Sequence, residues 1–199
     1  MKKAGITDYE SFAKDILKTV KDKPLSLEFF SDDIQDMKRQ ALKIAEWGEN
    51  VYVKIPVTNT KSESTAKLVK ELSDNGVKVN VTAIMTLDQV KEVVDSLNPD
   101  VPAYVSVFAG RIADTGIDPL PLMKEVVNIA KAKPLAEVIW ASPRELLNVF
   151  HADSIGCQVI TVTNDILKKL KLVGYDLNEY SLDTVKMFYN DSVSAGYKL

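Results

Sequence analysis

The chain has 199 residues, 46% of them hydrophobic and 27% charged, with a formal net charge of -3, so it is long enough to bury a substantial core as one soluble globular domain over 1–199. Acidic and basic residues are mixed throughout, which argues against nucleic acid or an anionic membrane as a partner, and no apolar run is long enough to span a bilayer. A single cysteine, Cys157, excludes an intramolecular disulfide and fits a reducing, cytoplasmic address, and a single histidine, His151, with no Cys/His cluster around it gives a metal site no support.

Thr7-Asp8 predicts the cap of a helix over about 9–21, with Phe12, Ile16, Leu17 and Val20 on one face. Residues 24–30 alternate as a strand, with Leu25, Leu27 and Phe29 on one side and Ser26, Glu28 and Phe30 on the other. Ser31-Asp32-Asp33 caps a helix through Trp47, closed by Gly48.

The next strand, over 51–58, puts Val51, Val53, Ile55 and Val57 on one apolar face and Tyr52, Lys54 and Pro56 on the other. Pro56 ends the ladder, so Lys54 stands just short of the C-terminal mouth, where chemistry sits in parallel α/β folds. Lysines also occur on edge strands, where they discourage aggregation. Flanking amphipathic helices argue for a central strand instead, and a lysine in an apolar site has a use: desolvation frees its amine to attack a carbonyl and form a Schiff base.

Helical spacing over 60–75 ends at Gly76, and residues 77–84 form a third strand, with Val77, Val79, Val81 and Ala83 opposed to Lys78, Asn80, Thr82 and Ile84. A helix over 86–97 leads to a fourth strand over 103–108 that aligns Tyr104, Ser106 and Phe108 and runs into Ala109-Gly110-Arg111. A loop through Gly116 and Pro119 precedes a helix over about 121–132; a fifth strand follows over 135–142, and Pro143 opens a helix to about Asp153. Residues 158–163 are the sixth strand, a helix runs over 164–172, and a last amphipathic helix over about 180–195 offers Leu182, Val185, Met187, Phe188 and Val193 for packing.

Four strands therefore carry polar groups on one face near their C-terminal ends: Glu28, Lys54, Asn80 with Thr82, and Ser106. An open sheet covered by helices on both sides would be apolar on both faces, so the pattern favours the mouth of a (β/α) barrel. Arg111 after the fourth strand, and Ser142 with Arg144 after the fifth, suit a phosphate, because guanidinium forks match its oxygens. Taken singly, each arginine reads better as half of a surface ion pair. Together, beside a lysine, they point to a phosphorylated carbonyl substrate.

The segments Val53-Lys54-Ile55-Pro56-Val57-Thr58, Val79-Asn80-Val81-Thr82, Tyr104-Val105-Ser106-Val107-Phe108-Ala109-Gly110-Arg111 and Ala141-Ser142-Pro143-Arg144, in this order, resemble the signature segments of the small transaldolase family, which includes fructose 6-phosphate aldolases. The resemblance runs over about 4–172. It implies a TIM-type (β/α)8 barrel in the α/β class, in which Lys54 forms a Schiff base with a ketose and Glu28 and Thr82 hold and activate the catalytic water. It further implies that Asn80, Ser106 and Phe108 line the substrate site and that Arg111, Ser142 and Arg144 bind phosphate. Transfer of a dihydroxyacetone unit between sugar phosphates, as in the pentose phosphate pathway, would then need no cofactor and no metal. Glu28 and Phe108 stand where the aldolase branch is expected to carry Gln and Tyr, which leans towards transaldolase over an aldolase-type lyase.

Two departures accompany the match. Family members begin with a strand bearing a proton-transferring Asp and a second strand ending in Thr-Thr-Asn-Pro-Ser, and this sequence has neither. Met1 falls just after the place of the second motif, as it would if an internal methionine stood as the start or the chain were shortened. The expectation is about six of the eight strands, N-terminally truncated, in an open barrel or one whose gap another chain fills. A non-catalytic phosphosugar-binding or assembly protein is the alternative that these missing motifs support. The resemblance also implies a homo-oligomer, with Phe188, Tyr189 and Tyr197 as contacts to a neighbour.

Overall fold

The computed structural model describes residues 5–196, so Tyr197 lies outside the described residues. Two compact units are present, Met1–Val162 and Thr163–Leu199.

In the first unit, strands β1 (Leu25–Glu28), β2 (Val51–Pro56), β3 (Val79–Ile84), β4 (Ala103–Val107), β5 (Ala136–Trp140) and β6 (Val159–Ile160) lie side by side in sequence order. Every neighbouring pair is parallel. Because the order never reverses, right-handed crossovers lay the connecting helices on one face only. These are α2 (Ile34–Ala45), α3 (Ala66–Asp74), α4 (Leu87–Ser96), α5 (Ala109–Asp114), α6 (Pro119–Ala130) and α7 (Leu147–Ser154), while α1 (Tyr9–Thr19) precedes β1. The sheet curls into a six-stranded half-barrel with β1 and β6 as its margins.

Alternation along the strands divides the side chains between two clusters. Val53, Ile55, Val79, Val81, Val105, Val107, Val138 and Trp140 point outward into the main core, against Met37, Ala41, Leu72, Val90, Met123 and Val126 of the helices. On the concave face Tyr52, Tyr104, Ile139 and Ala141 form a second, smaller cluster with Phe108 and Val159 packed against it.

Local chemistry sets the helix starts. Asp8 accepts the Ser11 amide and Asp33 that of Asp36, while Thr86 and Gln89 form a reciprocal capping box at the head of α4. Helix α3 begins at Ala66, later than the helical spacing over 60–75 predicts. Asn59 causes the delay: its side-chain oxygen accepts the Lys61 and Glu63 amides at 3.0 and 2.9 Å, which holds the chain in a loop. Helix α7 likewise starts at Leu147 rather than at Pro143, because the Arg144 and Glu145 amides both donate to the Asn148 side chain. The stretch expected as a loop after β4 is helical as α5.

One strand departs from simple alternation. The β3–β4 register shifts between Val81 and Ile84, where Ala83 has φ 63°. This bulge sends Ile84 into the helix-side core, fully buried, instead of onto the face shared by Asn80 and Thr82. The exposed amides of the β1 margin are partly met by side chains: Glu28 N–H donates to the Tyr9 hydroxyl at 3.1 Å and Phe30 N–H to Gln40 at 3.0 Å.

In the second unit, α8 (Asn164–Lys168) tightens into a 3-10 turn over Lys169–Leu172. Helix α9 (Leu177–Ala195) follows, capped by Asp176 and ended by left-handed Gly196. The α9 side chains Leu182, Val185, Met187, Phe188 and Val193 are exposed. Among the described residues no helix is long and apolar enough to cross a membrane.

Candidate active site

Parallel pairing sets Glu28 beside Lys54 and Lys54 beside Asn80 in adjacent strands. Glu28 is the last residue of β1 and Lys54 stands late in β2, whereas Asn80 is the second residue of β3; Lys54 and Asn80 face the concave side, and Glu28 lines a neighbouring depression. Glu28 Oε2 lies 3.8 Å from Lys54 Nζ, and 34% of the lysine side chain is exposed. The expected dry lysine is thus corrected: the amine is half-buried and ion-paired, because the concave face opens as a cleft beside it. Ser26, Lys54, Asn80, Thr82, Ser106, Phe108, Ile139, Ala141, Ser142 and Thr161 line that cleft, whose volume is about 280 Å³. Larger depressions exist elsewhere, one of about 380 Å³ between α1, α2 and the end of β1, but none gathers polar side chains from so many strands.

Asn80 is the hub of the cleft wall. It is 3% exposed, accepts from the Ser106 hydroxyl at 2.7 Å and donates to Ser26 at 2.8 Å. Ser26 lies on β1, two strands away from Asn80 on β3, so this bond passes over β2 and requires the sheet to curl. The same curl brings Lys54 into the middle of the wall. Thr82 is buried, and its hydroxyl has no hydrogen-bond partner among the described residues. An orphaned buried hydroxyl at a cleft wall has its bonding capacity free for a ligand or a reacting water.

Deeper along the strands, the Tyr52 and Tyr104 rings are stacked at 4.5 Å. Burial, then the neighbouring Tyr52 and Glu137, push the Tyr104 hydroxyl up to about 12. Burial raises Tyr52 as well. These phenols stay neutral and form an apolar floor.

The expected phosphate residues divide. Ser142 lines the cleft with φ 58°, a left-handed conformation uncommon for serine, and donates its amide to Thr161 Oγ1 at 3.3 Å. Arg111 is exposed and lies over the Phe108 ring at 5.6 Å. Arg144 is turned to Asp114: its Nε donates to Oδ1 at 2.9 Å and its Nη2 to Oδ2. The Asp114 carboxylate raises the guanidinium further above its ordinary value. Neither arginine is among the residues that line the cleft.

Four participants, Ser26, Thr161, Asp114 and Gly110, lie outside the predicted set of site residues. Thr161 was legible, since alternation within the predicted sixth strand puts it on the face of Val159. Asp114 and Gly110 were not, because their partners Arg144 and Ser142 are remote in sequence. A Cβ on Gly110 would lie 1.5 Å from the Ser142 carbonyl oxygen, so only glycine lets the first turn of α5 touch the segment after β5. His151 packs 6.2 Å from the Trp140 ring. Among the described residues no group of three or more His, Cys, Asp or Glu is arranged to hold a metal.

Comparison with known proteins places this geometry in a family. The family model described as transaldolase/fructose-6-phosphate aldolase matches residues 9–198. A probable transaldolase of Dehalococcoides mccartyi is 34% identical over 169 residues, covering 84% of this chain and 74% of the relative. A probable transaldolase of a Thermoanaerobacter species is 32% identical over 193 residues, covering 96% of this chain and 83% of the relative. One from Methanococcus maripaludis is 34% identical over 171 residues, covering 85% and 75%. By sequence match and by its parallel strands wound in order, the chain belongs to the transaldolase/fructose-6-phosphate aldolase family.

Proposed function

We propose that the protein is a transaldolase that moves a dihydroxyacetone unit between sugar phosphates through an imine on Lys54. The observation that carries this is Lys54 on a cleft wall that also holds Asn80, Ser106 and the orphaned Thr82 hydroxyl, with Glu28, which lines the neighbouring depression, 3.8 Å from its amine. Lys54 gives a proton to Glu28, its freed lone pair adds to the ketose carbonyl carbon, and the carbonyl oxygen takes a second proton from the nitrogen, while Glu28 keeps the proton that will depart with the hydroxyl. The resulting carbinolamine then loses its oxygen as water, which leaves an iminium.

The iminium is the electron sink. The donor's C3–C4 bond breaks, its electron pair entering the iminium to leave an enamine, and the C4 hydroxyl passes its proton to the Glu28 carboxylate as the first aldose departs. The enamine carbon adds to the acceptor aldehyde, whose oxygen takes that proton back from Glu28, restoring the iminium. Water held between Glu28 and Thr82 then adds to the iminium and releases the ketose. Asn80 and Ser106 suit the hydroxyls of the three-carbon unit, Phe108 its apolar edge, and Arg111, Ser142 and Arg144 the phosphate. A cleft near the small end of the ligand-pocket range, roughly 300–1,000 Å³, fits a short sugar better than a nucleotide.

The exposed apolar residues of α9 support a homo-oligomer in which that helix meets a second copy. Incubation with a ketose phosphate, with and without an aldose phosphate acceptor, tests the activity. Turnover only with the acceptor is the expected result. Release of free dihydroxyacetone without acceptor would make the protein an aldolase, and no turnover in either case would favour a binding role.

A further inference from the structure

The two arginines of the expected phosphate site are not equivalent. Arg111 has no carboxylate within 4.0 Å among the described residues and leans on Phe108, which lines the cleft. Arg144 is held fork to fork by Asp114, at the end of α5. Ser142 lines the cleft, yet Arg144, two residues further on, does not. Both members of the Arg144–Asp114 pair are about half exposed, 49% and 51%. Such a pair is weak enough to be exchanged for a stronger anion.

We propose that Asp114 is a specificity-determining latch: it draws Arg144 out of the cleft in the resting protein and yields it only to a dianionic phosphate. The proposal rests on Arg144 being a phosphate contact. A phosphate offers the guanidinium the same bidentate geometry as Asp114 with more charge. A neutral sugar offers neither and leaves the latch closed. Phosphorylated and unphosphorylated substrates are thereby separated by the state of one side chain, and affinity for phosphate is lowered by the cost of displacing Asp114.

Calorimetric titration of the full chain with inorganic phosphate tests this, using Asp114→Asn, Arg144→Gln and the double variant. An exposed pair of this kind is weak, so its loss changes affinity by at most about fivefold. Asp114→Asn is expected to tighten phosphate binding about three- to fivefold, Arg144→Gln to weaken it, and the tightening to vanish in the double variant. Weaker or unchanged binding in Asp114→Asn, with Arg144→Gln still weakening it, would overturn the latch while leaving the phosphate site standing. Tightening that persists without Arg144 would also overturn it, by reducing the effect to the loss of a negative charge. Unchanged binding in Arg144→Gln would remove Arg144 from the site, and the latch with it. Asp114 is exposed, so its variant is expected to fold, with circular dichroism as the check.

Discussion

Gly110 and Ser142 meet backbone to backbone: the glycine amide donates to Ala141 O at 3.2 Å, and the Ser142 carbonyl occupies the space a Gly110 side chain would need. The first turn of α5 and the segment after β5 are thereby fixed against each other at the cleft. Gly110→Ala cannot be relieved by a side-chain rotation, because the clash is with a carbonyl oxygen. It should cost about 2–4 kcal/mol, seen as a lowered denaturant midpoint, and should weaken phosphate binding by displacing Ser142. An unchanged midpoint would show that the contact is not close.

Asn80 ties β4 to β1 through Ser106 and Ser26. Asn80→Ala leaves the buried Ser106 hydroxyl without its acceptor and removes both bonds, a loss of about 1–3 kcal/mol. Urea denaturation should register it, together with a fall in kcat/KM. Asn80→Asp should keep the acceptor for Ser106 and recover part of the stability.

Tyr104 contributes to stability on the alkaline side. Its folded value of about 12 lies above the ordinary 10.0. Since the fold favours the neutral phenol, that contribution to stability is intact below pH 10.0 and is lost as pH rises towards about 12. Thermal melting across this window should show a steeper fall for the parent than for Tyr104→Phe. Equal slopes would contradict the assignment.

Much of this site is written in alternation alone. Lys54, Asn80, Ser106 and Glu28 share a face because strands repeat every two residues, and those positions needed no knowledge of their neighbours. Ile84 was misplaced because Ala83 takes a left-handed turn that no glycine announces. The helix over 60–75 was started too early because Asn59 captures amides that helical spacing alone assigns to the helix. Arg144 could be read as a phosphate ligand or as half of an ion pair, and only the fold brings Asp114 to it, 30 residues away. Lys54 was expected to be dry because a strand's burial was inferred from its apolar face, while its exposure depends on how far the sheet closes. Local periodicity is legible in sequence; loop-to-loop contacts and the solvent access they leave are not.

The central claim is that Lys54 forms a covalent imine with a ketose phosphate, and reductive trapping tests it most directly. Borohydride reduction in the presence of fructose 6-phosphate, followed by peptide mass analysis, should place a sugar-derived adduct on Lys54 and none on a Lys54→Arg variant. An intact, folded chain that turns over sugar phosphates but acquires no adduct at Lys54, or acquires it at another lysine, would contradict the account.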